Sequence, residues 1–163
     1  MKTHEEYMEL ALEEARKAEE IDEVPVGCII VCGGEIIARG HNLKEQLNQA
    51  YAHAEMMTIQ KAAEVKGNWC LNDCDLYVTL EPCMMCTGII NLSRIRTVYY
   101  GTTDPKGGCL ETVIDLKKIN RLNHYPNIVG NILQKECSEI LTNYFRKKRE
   151  TTKEKKQKNK ANI

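Results

Sequence analysis

Asp75-Leu76-Tyr77-Val78-Thr79-Leu80-Glu81-Pro82-Cys83-Met84-Met85-Cys86 holds a change of secondary structure and a pair of cysteines. Asp75 to Leu80 reads as a short strand, rich in residues that favour a pleated surface, and Pro82 halts it. Pro82 also sits just ahead of a stretch suited to a helix, Cys83 to Ser93, and Arg96 to Tyr100 reads as the next strand. The same order precedes it. Glu35 to Gly40 is a strand, and from His53 a helix follows, with Met56, Met57, Ile59, Ala62, Ala63 and Val65 as its apolar positions and Gly67 as its end. Two strand–helix–strand units in a row imply parallel pairing.

Further out, Thr3 and Glu6 form a capping box for a helix that ends near Ile21, with Met8, Ala11, Leu12, Ala15 and Ala18 recurring at helical spacing. Val24 to Cys32 is apolar and β-branched, and Gly33-Gly34 turns it into the Glu35 strand as a hairpin. Residues 41–52 read as a loop. In 101–131 a Gly107-Gly108 break, a short helix around Glu111 to Lys118 and a further loop are expected. Leu133, Cys137, Ile140, Leu141, Tyr144 and Phe145 define a last amphipathic helix. It is expected to run into a basic tail that frays toward Ile163. No repeat or linker divides the chain, so residues 1–150 are expected to form one α/β domain, a mixed sheet with helices on its faces, and 151–163 a tail.

The 163 residues are 42% hydrophobic and 28% charged, as in a soluble globular domain. No apolar run approaches a membrane span, and the ionisable groups of Met1 to Glu6 lead into no apolar signal region, so a cytoplasmic protein is expected. There a disulfide framework is not expected for the eight cysteines; Cys28, Cys32 and Cys137 read as small buried hydrophobes. The net charge of zero is unevenly spread. Arg146 to Ile163 holds nine Lys or Arg against two Glu, which leaves an acidic body and a basic end of the kind that touches nucleic acid.

The chemistry lies in His53-Ala54-Glu55 and Pro82-Cys83-Met84-Met85-Cys86. Cys83 and Cys86 stand roughly 60° apart around a helix, so both thiolates can reach one ion, and the helix start favours their charge. His53 supplies a third ligand, leaving a fourth tetrahedral position for water, the arrangement of a catalytic zinc. Glu55 lies roughly 200° round the helix from His53, and both address a metal placed off the helix end. It need not be a ligand: it can take a proton from the bound water and return it to the leaving group. His-x-Glu opening one helix and Pro-Cys-x-x-Cys opening the next is the pattern of zinc-dependent base deaminases. The competing arrangement is an all-cysteine structural zinc built on Cys70, Cys74, Cys83 and Cys86, in a non-catalytic RNA-binding module. Against it stand the eight residues between Cys74 and Cys83, shorter than zinc-ribbon spacing, and a Glu55 left without a role.

On these motifs the chain resembles the bacterial tRNA-specific adenosine deaminases of the cytidine deaminase superfamily. The likeness covers roughly residues 5–150 and includes Glu23-Val24-Pro25-Val26-Gly27, Gly40-His41-Asn42, Asp104-Pro105-Lys106-Gly107-Gly108-Cys109, Asn123-His124 and Tyr144-Phe145-Arg146. After Cys109, where many relatives carry small residues, this chain has Leu110-Glu111-Thr112. The resemblance implies a three-layer α/β/α fold and one zinc per subunit on His53, Cys83 and Cys86. It implies Glu55 as the proton shuttle during attack on C6 of adenine, with inosine and ammonia as products. Asn42 would hold the flipped base or its ribose; Asp104, Lys106, Asn123, Phe145 and Arg149 would contact the anticodon stem-loop of an arginine tRNA. A homodimer is implied as well. The alternative within the same chemistry is a deaminase of a free base or nucleoside such as guanine or cytosine, which has no need of a basic C-terminal helix.

Overall fold

A computed structural model describes all of residues 1–163. Its frame is a five-stranded mixed sheet in the order β2-β1-β3-β4-β5. The strands are β1 (Gly27–Cys32), β2 (Glu35–His41), β3 (Cys74–Leu80), β4 (Thr97–Thr102) and β5 (Asn127–Val129). The helices are α1 (His4–Glu20), α2 (Lys44–Leu47), α3 (Ala54–Lys66), α4 (Met84–Leu92) and α5 (Gln134–Ala161). No helix is long and apolar enough to cross a membrane.

Alternation along the strands feeds two cores. Cys28 and Ile30 of β1 and Leu76 and Val78 of β3 face one way, against Ala54, Ile59 and Ala62 of α3 and Ile90 of α4. Ile29, Val31 and Tyr77 face the other way, against Tyr7, Met8, Ala11 and Leu12 of α1 and Cys137 of α5. A sheet covered on both faces explains why β1 and β3 read as nearly continuous apolar runs. The result is the expected α/β/α sandwich. Helix α1 lies so close on β1 that a Cβ at Gly27 would sit 1.9 Å from the Ala11 carbonyl oxygen.

Parallel pairing is direct only for the second strand–helix–strand unit, β3 with β4. In the first, β1 inserts between β2 and β3 and runs antiparallel to both, so that unit is split. Within 119–131, read as loop, β5 pairs parallel with β4. Three residues with one half-buried apolar side chain leave little periodic signal. Lys44–Leu47, also read as loop, is a single helical turn, and the helix expected over Glu111 to Lys118 shrinks to a 3-10 turn at Leu116–Lys118. Helix α5 crosses residue 150 without a break and remains helical to Ala161, where fraying was expected. Its second half is built mostly from strong helix formers, Thr151, Thr152 and Asn159 excepted, and contains neither Gly nor Pro.

Cys32 corrects the reading of the cysteines. It is disulfide-bonded to Cys74, its direct partner in the β1/β3 register, with a Cα–Cα separation of 4.4 Å. Strand register sets that pairing, and neither cysteine's local pattern reports it. Cys28 and Cys137 are free and buried, as expected.

Candidate active site

Two helix starts converge beyond the C-terminal end of β3. His53 is the N-cap residue of α3 and Cys83 that of α4, each with extended backbone, while Glu55 and Cys86 lie in the first turns. The strand-to-helix switch at Leu80-Glu81-Pro82 brings Cys83 to this point, and the break after residue 52 brings His53. His53 Nδ1 lies 3.6 Å from Cys83 Sγ and 3.7 Å from Cys86 Sγ, and the three ligand atoms lie within 4.8 Å of one another. A tetrahedral zinc with Zn–N near 2.05 Å and Zn–S near 2.3 Å requires N···S separations of about 3.6 Å. The donor set therefore fits zinc in both chemistry and spacing. The all-cysteine alternative loses Cys74 to the disulfide.

The electrostatics of this cluster are those of a shared proton network at two helix N-termini. The Cys83 thiol is brought down to about 4, chiefly by its hydrogen bond with Cys86 and further by His53. Cys86 is pushed up by that same contact and by burial. The hydrogen bond to Cys83 raises His53. Glu55 is 4% exposed, and its Oε2 lies 3.5 Å from Cys86 Sγ. Burial raises its carboxyl to about 7, with the Cys83 thiolate adding to the effect. A carboxyl that exchanges protons near neutral pH beside three metal donors suits general acid–base work.

Above these groups lies a cavity of about 200 Å³, smaller than a drug-sized pocket and suited to a single base. Val24 and Val26 give it apolar walls, and Asn42, Lys44 and Asp104 its polar rim. Asn42 is buried and held in place. Its side-chain amide donates to the Val24 carbonyl at 3.4 Å, and its Oδ1 accepts the Lys44 amide at 3.2 Å.

Val24, Leu80 and Asp104 also border a second, larger groove of about 710 Å³ that continues outward between the 102–106 loop and α5. Lys106, Phe145 and Arg149 line it. Phe145, which the amphipathic pattern placed among apolar core positions, is 43% exposed here. Asp104 also performs the turn role its Asp-Pro sequence suggests, accepting the amides of Lys106 and Gly107 at 3.1 Å each. Asn42, Asp104, Lys106, Phe145 and Arg149 thus share one continuous surface with His53, Glu55 and Cys83. Asn123 is exposed in the segment before β5 and lines neither cavity.

Lys44 and Glu81 border the pocket without having been singled out in the sequence. Lys44 sits in a polar stretch with no distinguishing pattern. Glu81 is 2% exposed and accepts the amides of Leu110, Glu111 and Thr112 at 3.2, 2.9 and 3.1 Å. A Cβ on Gly108 would sit 2.4 Å from its carboxyl carbon. The Leu110-Glu111-Thr112 departure is therefore folded directly onto the residue that precedes the metal motif.

Fold and site together define a zinc-binding deaminase domain: residues 1–102 match the family model for the cytidine and deoxycytidylate deaminase zinc-binding region. A tRNA-specific adenosine deaminase from Bacillus subtilis is 48% identical over 147 residues, 90% of this chain and 91% of that protein. The solved structure of a tRNA:A34 deaminase, studied for A-to-I editing at the wobble position of transfer RNA, superimposes with a TM-score of 0.81. It is 46% identical, over 83% of this chain and 99% of its own. A guanine deaminase from B. subtilis superimposes with a TM-score of 0.60 at 30% identity, over 74% of this chain and 87% of its own. The chain belongs to the tRNA-specific adenosine deaminase family.

Proposed function

We propose that this protein hydrolyses the wobble adenosine of a tRNA anticodon, in an arginine tRNA, to inosine and ammonia. The carrying observation is the buried Glu55 carboxylate beside His53, Cys83 and Cys86 at the floor of a base-sized cavity. Zinc, one ion per subunit on those three residues, supplies when bound a Lewis acid that lets water ionise near neutral pH. Glu55 accepts the proton of the attacking water and returns it to the amine that departs from C6. Oxygen from water replaces that nitrogen, so atoms and protons balance. Asn42, locked by Val24 and Lys44, orients the base. Asp104, Lys106, Phe145 and Arg149 hold neighbouring nucleotides of the anticodon stem-loop along the outer groove, with Phe145 as a stacking platform. Asn123 is assigned to the same RNA, at a point removed from the groove.

A cytoplasmic homodimer is part of the reading. Trp69, Met84 and Leu92 are exposed on the α3/α4 face, around two apolar cavities of about 360 and 310 Å³. A contiguous apolar face of this kind suits burial against a second copy.

The test is inosine formation in an arginine tRNA carrying adenosine at the wobble position, with guanine offered in parallel. Wild-type protein is expected to form inosine, and Glu55→Ala to lose about 10²–10⁴ of the rate while keeping its zinc. Ammonia from guanine and none from the tRNA would overturn the substrate assignment.

A further inference from the structure

Helix α5 does more than close the sheet. Ser138, Leu141, Thr142, Phe145 and Arg149 line the outer groove. At 100° per residue, the face they define passes next through Lys153, Lys156 and Lys160, all exposed. Glu150 and Glu154, the only acidic residues beyond position 145, fall roughly 90° or more away from that line. The groove face thus continues as a cationic ridge reaching about 16 Å past Arg149. Its direction is fixed where the helix leaves the body. Tyr144 Oη donates to the Asp22 carbonyl at 3.2 Å, and Lys148 Nζ lies 2.5 Å from Asp22 Oδ2. Residues 1–145 carry 14 basic and 21 acidic side chains, so the surplus of basic over acidic groups that balances the chain lies in residues 146–163 of this helix and its end.

We propose that Lys153, Lys156 and Lys160 form a phosphate-tracking ridge that grips the anticodon stem beyond the loop whose base enters the pocket. The inference rests on the tRNA reading above and extends it to a backbone contact outside the groove. Each lysine neutralises a phosphate and releases its counterion, without reading sequence. The ridge sets how tightly and how salt-dependently the substrate is held. The step at Glu55, at the other end of the groove, proceeds independently of it.

The test compares full-length wild type with Lys153→Gln/Lys156→Gln/Lys160→Gln, using the same arginine tRNA across a salt series. A back-face control carries Lys147→Gln/Lys155→Gln/Lys158→Gln. The ridge variant is expected to flatten the plot of log Kd against log salt by about 2–3, roughly one per lost phosphate contact. Its Kd is expected to rise by about tenfold to a hundredfold at physiological salt, read also as KM, with kcat at saturating tRNA within about twofold. The control, with the same change of charge, is expected to move the slope by less than one. Helical content by circular dichroism confirms the fold, and Lys→Glu at the same three positions is expected to deepen the effect. Equal shifts in both triple variants would overturn the ridge in favour of a diffuse charge effect. An unchanged slope and Kd with inosine still formed would overturn the ridge alone. Wild type that forms no inosine in the tRNA would overturn the ridge together with the reading beneath it.

Discussion

The carboxylate of Glu81 accepts the backbone amide of Glu111 at 2.9 Å, across 30 residues of chain. With the amides of Leu110 and Thr112 on the same oxygen, and the Thr112 hydroxyl and the Asp104 amide on the other, it ties the 104–112 loop to the strand end that leads into Cys83. Glu81 is therefore a positioning residue for the pocket rim. Glu81→Ala leaves several buried amides without an acceptor, at a cost of about 2–4 kcal/mol. Thermal melting is expected to show a loss of about 5–15 °C. Thr112→Val removes one of these bonds and costs about 1 kcal/mol. In both variants zinc content holds while KM for tRNA rises. Loss of zinc in Thr112→Val would overturn the assignment to the rim.

The site chemistry was legible because His53, Glu55, Cys83 and Cys86 are grouped by local turns. The helix start that aims each of them is written in the residues next to it. What was not legible depends on distant register. Cys32 meets Cys74 only once β1 is laid antiparallel on β3, and β5 exists only because β4 offers an edge. Glu81 is in plain sight within the motif, yet its role appears only when the loop 23–31 residues later folds back over it. Phe145 shows the limit of helical periodicity. The stripe that buries Cys137 against the sheet continues through buried Tyr144, while Phe145, about 80° round from Cys137, is exposed and lines the groove.

Cys32 and Cys74 lie 42 positions apart in sequence. Closing a loop of that size stabilises the fold by at most about 4 kcal/mol through the unfolded chain. Cys32→Ser, or reduction of the wild type, is expected to lower the melting temperature by up to about 15 °C. Deaminase activity at lower temperature should be unaffected, because Cys74 opens β3 and the metal donors lie past its other end. Equal melting of oxidised and reduced protein would show that the bond carries no stability.

Glu14, on the buried face of α1, is paired with Lys17 Nζ at 2.7 Å and His41 Nδ1 at 2.9 Å. Burial works to raise its carboxyl, but the two hydrogen-bonded partners outweigh it and hold the group below its ordinary 4.5. A depressed folded value stabilises above the unfolded one and is lost as acid protonates the folded group. The stability gap between wild type and Glu14→Gln should therefore be full at neutral pH and close as pH falls below 4.5. Melts across that range check it; a gap constant down to strong acid would remove Glu14 as the cause. His41 precedes Asn42, so the variant should also loosen base binding and raise KM.

Removing the metal would separate the proposed zinc ligands from the proposed proton carrier. His53 and Cys83 are the N-caps of α3 and α4, so an ion shared between them and Cys86 joins two helix starts that otherwise meet only through side chains. Binding to the folded chain alone adds about 2.7 kcal/mol at a hundredfold excess over Kd, or about 5–10 °C in melting temperature. A chelator is expected to erase that increment together with activity, and added Zn²⁺ to restore both. Cys86→Ser should show neither the increment nor its response to chelator, since a hydroxyl is a poor replacement for thiolate on zinc. Glu55→Ala should keep the full chelator-sensitive increment while remaining inactive. A Glu55→Ala protein that had lost its metal would place the carboxylate among the ligands instead, and the proton transfer would have to be assigned elsewhere in the pocket.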